Sequence, residues 1–257
     1  MTDSSFPDRA RRREPMFFMP FVVVALIATL IGIYAVASAL SEATQDALLR
    51  EFAFMPGRLT LSIWPNSRLG DLEGGAKVWT LLTYALLHGS WAHVLVNSIW
   101  LVAFGPPVAR RFGPFRFLMF FAMTAIAGAL AHWAVNPMDF SPLIGASAAD
   151  SGMMAAAARF IFQPGAPLSG RQDLSHLMTE AGEEPRVPTL FELLTQRRAL
   201  VFIAIWMATN FVFGAGAQTL GASEAPVAWI AHVGGFVAGL LAFPLFDRPQ
   251  RRRPELP

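Results

Sequence analysis

The chain has 257 residues, of which 54% are hydrophobic and 15% charged, with a formal net charge of +2 and no cysteine. An ordinary soluble domain carries about 25% charged residues, so the composition excludes a water-soluble globule, and the missing cysteines exclude disulfides, thiolate metal sites and a cysteine nucleophile. The basic residues, all arginine except Lys77, flank apolar blocks instead of forming a face interleaved with aromatics, which argues against nucleic-acid binding.

In chain order, residues 1–16 form an Arg-rich tail, and the charge-free block 15–41 predicts a first span at 17–40. Its apolar run of about 24 residues exceeds the 7–15 of a signal-peptide core, which favours a retained span. Residues 41–77 are mixed polar and aromatic, and Pro56 and Pro65 forbid a long regular helix there; an outer-face interfacial loop is expected. The charge-free blocks 78–109 and 117–138 predict spans at 91–109 and 115–135, and the stretch 140–158, interrupted only by Asp150, predicts one at 146–162. A polar loop, 163–198, follows. Blocks 199–223 and 225–246 predict the last spans, at 199–214 and 227–246, ahead of an Arg/Pro tail at 247–257. About 20 apolar residues cross ~30 Å of hydrocarbon. The expected fold is therefore all-α: a polytopic bundle of six transmembrane helices over 17–246, with no internal repeat.

Orientation follows from the positive charges. With both termini cytoplasmic, sixteen basic residues lie inside, and four (Arg50, Arg58, Arg68 and Lys77) lie outside in the first loop. Cytoplasmic loops are enriched in Lys and Arg. The even-numbered spans then all begin on the outer side.

Polar side chains in hydrocarbon are costly and mark candidate functional positions. The second span opens with His88, His93 and Asn97, the fourth with Gly145, Ser147 and Asp150, and the sixth with His232, Gly235 and Gly239. The orientation brings all three groups to one outer depth. Ser147, Ser151, Ala155 and Ala158 form one small-residue face, and His232, Gly235, Gly239 and Ala242 form another. Small faces let helices approach closely in lipid, and these would bring Ser147 and His232 to the same end of a contact. A neutral imidazole can activate a serine hydroxyl. A helix N-terminus, aided by Asn97 and His93, can stabilise the resulting oxyanion. Blander readings exist: Ser147-x-x-Asp150 resembles a capping box, His93 and Asn97 suit a structural hydrogen bond, and the histidine spacing is not diagnostic of a metal.

Taken together, His88-x₄-His93-x₃-Asn97, Gly145-x-Ser147 and Ala231-His232-x-x-Gly235-x-x-x-Gly239 resemble the rhomboid intramembrane serine proteases across residues 17–246. The resemblance implies a Ser147–His232 dyad and an oxyanion site using His93, Asn97 and the Ser147 N–H. His88, Gly145, Gly235 and Gly239 would support the site, and no cofactor or metal is implied. The implied reaction is hydrolysis of a peptide bond in or beside a transmembrane segment of a membrane-protein substrate. The expected location is a bilayer, with a bacterial inner membrane favoured. Oligomeric state and substrate identity are not readable. The chain departs from the family pattern at Ala148, where glycine is common, and at Thr80 after Trp79, where arginine is common. It departs again at Ser151, where an aromatic often stacks on the histidine, and Asp150 is unusual. Ala148 and Ser151 motivate the alternative of a rhomboid-like pseudoprotease that binds transmembrane clients.

Overall fold

A computed structural model describes residues 19–63, 77–162, 188–212 and 228–247. The N-terminal tail, most of the polar loop 163–198, the connection between the last two helices and all but Asp247 of the C-terminal tail lie outside these residues. The described elements are α1 (Phe21–Ser38), α2 (Glu42–Phe52), α3 (Pro56–Ile63), α4 (Thr80–Thr83) with a 3₁₀ turn at Tyr84–Leu86, α5 (Trp91–Phe112), α6 (Pro114–Val135), α7 (Ser147–Ile161), α8 (Leu190–Thr195), α9 (Arg197–Phe211) and α10 (Trp229–Phe246). The fold is an all-α bundle, and the only β pairing among the described residues is an isolated bridge between Phe54 and Leu143.

Four helices, α1, α5, α6 and α10, are long and apolar enough to cross a membrane. The helices at the fourth and fifth predicted spans, α7 and α9, have 15 residues each. At 1.5 Å per residue fifteen residues span about 22 Å, less than the ~30 Å hydrocarbon core, and α9 ends beside residues outside those described. α7 is the buried centre of the bundle, and every residue from Ala148 to Ala158 is buried.

The segment 41–63 holds two helices where the sequence suggested only a loop. Ser41 accepts a hydrogen bond from the Thr44 N–H and caps α2. Pro56 opens α3, a position where its missing N–H costs nothing. This segment is tied to the chain before α7: Phe54 and Leu143 exchange backbone bonds of 3.2 and 2.8 Å, and the Gly57 N–H donates to the Asp139 carbonyl at 2.7 Å.

Two layers of close contact join α6, α7 and α10. In the first, a Cβ placed on Gly128 would lie 2.5 Å from the Ala148 methyl and 2.7 Å from the Ala231 carbonyl oxygen, while one on Gly235 would collide with the Ala148 carbonyl. In the second, a Cβ on Gly152 would meet Thr124 at 2.5 Å, and one on Gly239 would meet the Gly152 carbonyl oxygen at 2.5 Å. Thr124 enters this layer with its hydroxyl already bonded to the Phe120 and Phe121 carbonyls of its own helix. The pairings Ala148 with Gly235 and Gly152 with Gly239 make α7 and α10 parallel neighbours. The contact face of α7 therefore runs through Ala148 and Gly152 and meets the predicted Ser147–Ser151–Ala155–Ala158 face at Ala155, which clusters with Phe236 of α10. Small residues lie on more than one face of α7, so size alone does not mark its contact face.

The opposite end of the bundle is clamped by arginine. Arg159 donates to the carbonyls of Leu240 and Pro188 at 3.1 and 2.9 Å. Arg111 forms a two-pronged pair with Asp247 at 2.7 and 3.0 Å. Both guanidinium groups lie over the Phe243 ring.

Candidate active site

Ser147 is the first helical residue of α7, and Ala146 is the N-cap. The capping-box alternative therefore does not describe this helix start: no side chain caps it, and Asp150 donates its backbone N–H to the Ala146 carbonyl at 2.9 Å. Ser147 is half-buried, while Ala146 and Ala148 on either side are buried. The first N–H groups of a helix have no partner within it, so the turn carrying the Ser147 hydroxyl also presents backbone donors.

Gly145 shapes the approach to that turn. Its φ of +112° is a conformation that side chains rarely adopt, and its N–H donates to the Tyr84 carbonyl at 3.0 Å. A Cβ here would sit 2.5 Å from His93 Nε2 and 3.5 Å from Asn97 Nδ2. Glycine is thus required twice, for backbone conformation and for space, and its α-carbon marks where the His93 and Asn97 nitrogens converge.

Those two residues lie one turn apart at the start of α5. Ser90 caps that helix, accepting from the His93 N–H at 3.1 Å. Asn97 is buried, and its Nδ2 lies 2.9 Å from His88 Nε2. An amide nitrogen can only donate, so His88 accepts at Nε2 and carries its proton on Nδ1. His88 precedes α5, and its ring meets the His93 ring edge-on at 5.0 Å. Burial first, and the neighbouring His93 second, lower the His88 pKa from 6.5 to about 4. A neutral His88 thus holds the Asn97 amide, and the second Asn97 N–H remains available.

His232 lies in the first turn of α10, three residues before Gly235. Since Gly235 packs on Ala148 in a parallel contact, Ser147 and His232 occupy the same end of the α7–α10 pair. His93 lies within electrostatic reach of His232. His232 Nδ1 is 2.6 Å from Oδ1 of Asn210, near the end of α9. Sequence reasoning did not single out Asn210. The available signal was an amide in an apolar helix, four residues after Trp206.

The departures from the family pattern also find their places. The Ala148 methyl faces Gly128, which leaves room for it on α6, away from Gly145. Ser151 is buried and donates to the Ser147 carbonyl at 2.8 Å. Asp150 is 3% exposed, and neither carboxyl oxygen has a hydrogen-bond partner. Among the described residues, no three His, Asp or Glu side chains are grouped to hold a metal.

The Rhomboid domain family matches residues 75–248. RHOMBOID-like protein 1 of Arabidopsis thaliana is 25% identical over 257 residues, covering 94% of this chain and 57% of that protein. The Bacillus subtilis protein YdcA is 32% identical over 110 residues, 42% of this chain and 54% of its own length. The rhomboid protease GlpG of Haemophilus influenzae is 32% identical over 69 residues, 26% of this chain and 36% of that protein. The chain thus spans little more than half the length of the first two relatives. With a family match over more than half of its residues, and the Gly145–Ser147 and His232–Gly239 segments inside it, the chain belongs to the rhomboid family.

Proposed function

We propose that this chain is an intramembrane serine endopeptidase in which Ser147 is the nucleophile and His232 the general base. One observation carries the reading: the parallel α7–α10 contact sets Ser147 and His232 at one end of the pair, beside the point where His93 Nε2 and Asn97 Nδ2 converge on Gly145. The Ser147 hydroxyl attacks the carbonyl carbon of the scissile bond while His232 Nε2 takes its proton. The oxyanion is held by the Ser147 N–H with His93 and Asn97. His232 returns the proton to the leaving amine, and water then hydrolyses the acyl-enzyme by the same route.

The substrate class is a transmembrane segment of a membrane protein, and the setting is a lipid bilayer. In this reading residues 17–246 form one membrane domain, with α7 and α9 completing a six-span bundle. Both tails are cytoplasmic, the orientation that the arginine distribution fits, and the location is a bacterial inner membrane. A fourth helix that begins below the membrane surface explains how a short α7 serves this fold: irregular backbone at depth is tolerated where protein covers it, and Leu143, Gly145 and Ala146, just before α7, are buried. The relative named as a rhomboid protease supports the same chemistry.

The test is cleavage of a transmembrane reporter by the purified protein in liposomes. Ser147→Ala and His232→Ala each lower turnover by about 10³-fold or more. Wild type no faster than Ser147→Ala across several reporters sinks the reading. The pseudoprotease alternative rests on Ser151, which leaves the histidine without an aromatic four residues after the serine. Labelling of Ser147 by a fluorophosphonate, lost in His232→Ala, decides against it.

A further inference from the structure

The geometry points to Asn210 as the residue that fixes the tautomer and ring orientation of His232, adding a positioning residue to the proposed Ser147–His232 dyad. This rests on the dyad reading above and extends it to a third residue, on a different helix. The Asn210 amide makes two bonds: Nδ2 donates to the Trp206 carbonyl at 2.9 Å, and Oδ1 lies 2.6 Å from His232 Nδ1. The first bond settles the second. A backbone carbonyl only accepts, so the amide nitrogen must face Trp206 and the amide oxygen must face His232. An amide oxygen only accepts in turn, so His232 carries its proton on Nδ1. Nε2 is then the unprotonated nitrogen, available to take a proton from a serine hydroxyl.

The setting favours a positioning role over an incidental contact. An amide in an apolar helix normally satisfies itself on its own backbone, and the Nδ2 bond to the carbonyl four residues back does that. The oxygen still needs a donor, and it is aimed at the one titratable side chain of α10. One turn further along, the Trp206 and Phe236 rings stack at 4.1 Å and 20°. Asn210 with His232 and Trp206 with Phe236 are successive rungs between α9 and α10, four residues apart on each helix. The aromatic rung sets the helix separation, and the polar rung uses it. Ser151 provides no ring to orient the histidine from α7, because its hydroxyl is spent on the Ser147 carbonyl. On this chain the orienting group comes from α9.

The experiment compares wild type, Asn210→Leu and Asn210→Asp, reading kcat and KM on a transmembrane reporter, the fluorophosphonate labelling rate of Ser147, and the ¹⁵N spectrum of histidine-labelled protein. Leucine keeps the volume and removes the acceptor, whereas aspartate keeps an acceptor oxygen. General-base catalysis contributes about 10²–10⁴-fold, so mispositioning the base is expected to lower kcat and the labelling rate by about 10–100-fold in Asn210→Leu. KM stays within about twofold, and Asn210→Asp recovers most of the loss. The spectrum of wild type shows His232 protonated at Nδ1, and that signature is lost in Asn210→Leu, whether or not a reporter is cleaved. Folded Asn210→Leu with wild-type kcat overturns the proposal, as does Asn210→Asp no better than Asn210→Leu, or His232 protonated at Nε2 in wild type. If Asn210→Leu does not fold, the aspartate variant and the wild-type spectrum still decide. Inert wild-type protein with the Nδ1 signature overturns the protease reading instead, which keeps the two failures distinct.

Discussion

The two flanks of α10 are built on opposite principles. Toward α6 and α7 it meets backbone: Gly235 lies on the Ala148 carbonyl and Gly239 on Gly152. Toward α9 it meets side chains, through the Trp206–Phe236 stack and the Asn210–His232 hydrogen bond. In lipid, apolar side chains gain little from leaving an equally apolar solvent, so association depends on close packing and hydrogen bonds. Around Gly235 and Gly239 the glycine flank is close packing that no rotamer can adjust, and side chains such as Arg159 and Phe160 join it only toward the far end of α10. The α9 flank is held by one ring stack and one polar bond, and most of α9 is otherwise exposed. The difference separates two tasks: the glycine flank sets where the first turn of α10 lies relative to Ser147, and the α9 flank sets how the His232 ring is turned.

The largest effect is expected where nothing can move. In Gly235→Ala the new methyl collides with the carbonyl of Ala148, a backbone group inside the central helix. Overpacking typically costs 1–3 kcal/mol when side chains can yield. Here no side chain is available to yield, so a loss of about 3 kcal/mol or more is expected, with reporter cleavage abolished. Unfolding in a denaturing detergent titration measures the first and reporter turnover the second. A variant as stable as wild type would show that the α7–α10 contact has slack, and would merge the two flanks into one kind of interface.

Trp206→Ala probes the other flank and is expected to do less. Because lipid tails replace the lost apolar surroundings, the change removes mainly the pair-specific part of the stack, about 0.5–1.5 kcal/mol. Turnover is expected to fall less than in Asn210→Leu, since the Asn210 amide is anchored to the backbone carbonyl of residue 206, which survives the substitution. A larger loss of turnover than in Asn210→Leu would mean that the stack, not the amide, orients the histidine.

The contrast also explains what was legible in the sequence. Charge-free blocks mark apolar helices directly, so predicted spans such as 115–135 and 227–246 lie within a few residues of Pro114–Val135 and Trp229–Phe246. Gly235 and Gly239 were legible as a close-approach face because glycine at helical spacing has few other uses in a span. Their partners were not: α7 carries small residues on more than one face, and the pairing with Ala148 and Gly152 depends on helix rotation, which size alone does not encode. Asn210 was illegible for the complementary reason. A lone amide in an apolar helix states that a hydrogen bond is needed but not with whom, and the partner sits 22 residues later on another helix. The sequence shows Ala148 only as a departure from the family's glycine, because the Gly128 that faces its methyl lies on another helix, α6. The α2 and α3 helices are not legible in the sequence because Pro56, which forbids one continuous helix, equally suits the first position of the next.

The smallest expected effect lies off both flanks, at His88, and its sign can be worked out. His88 titrates at about 4 in the folded protein, against 6.5 when solvated, so the unfolded chain binds a proton first as the pH falls. The stability associated with neutral His88 is complete above about pH 6.5, shrinks as the pH drops below that value, and is lost through pH 4. His88→Gln removes the titration while its amide oxygen can still accept from Asn97 Nδ2. The variant is therefore expected to match wild type in stability near pH 7.5 and to lose less than wild type on going to pH 5. Its kcat near pH 7.5 is expected to stay within a few-fold of wild type, because the Asn97 amide remains held. Parallel stability curves for the two proteins between pH 7.5 and 5 would mean that His88 is solvated. In that case Asn97 would be positioned by its helix alone, and the pocket beside Gly145 would be as loosely held as the α9 flank.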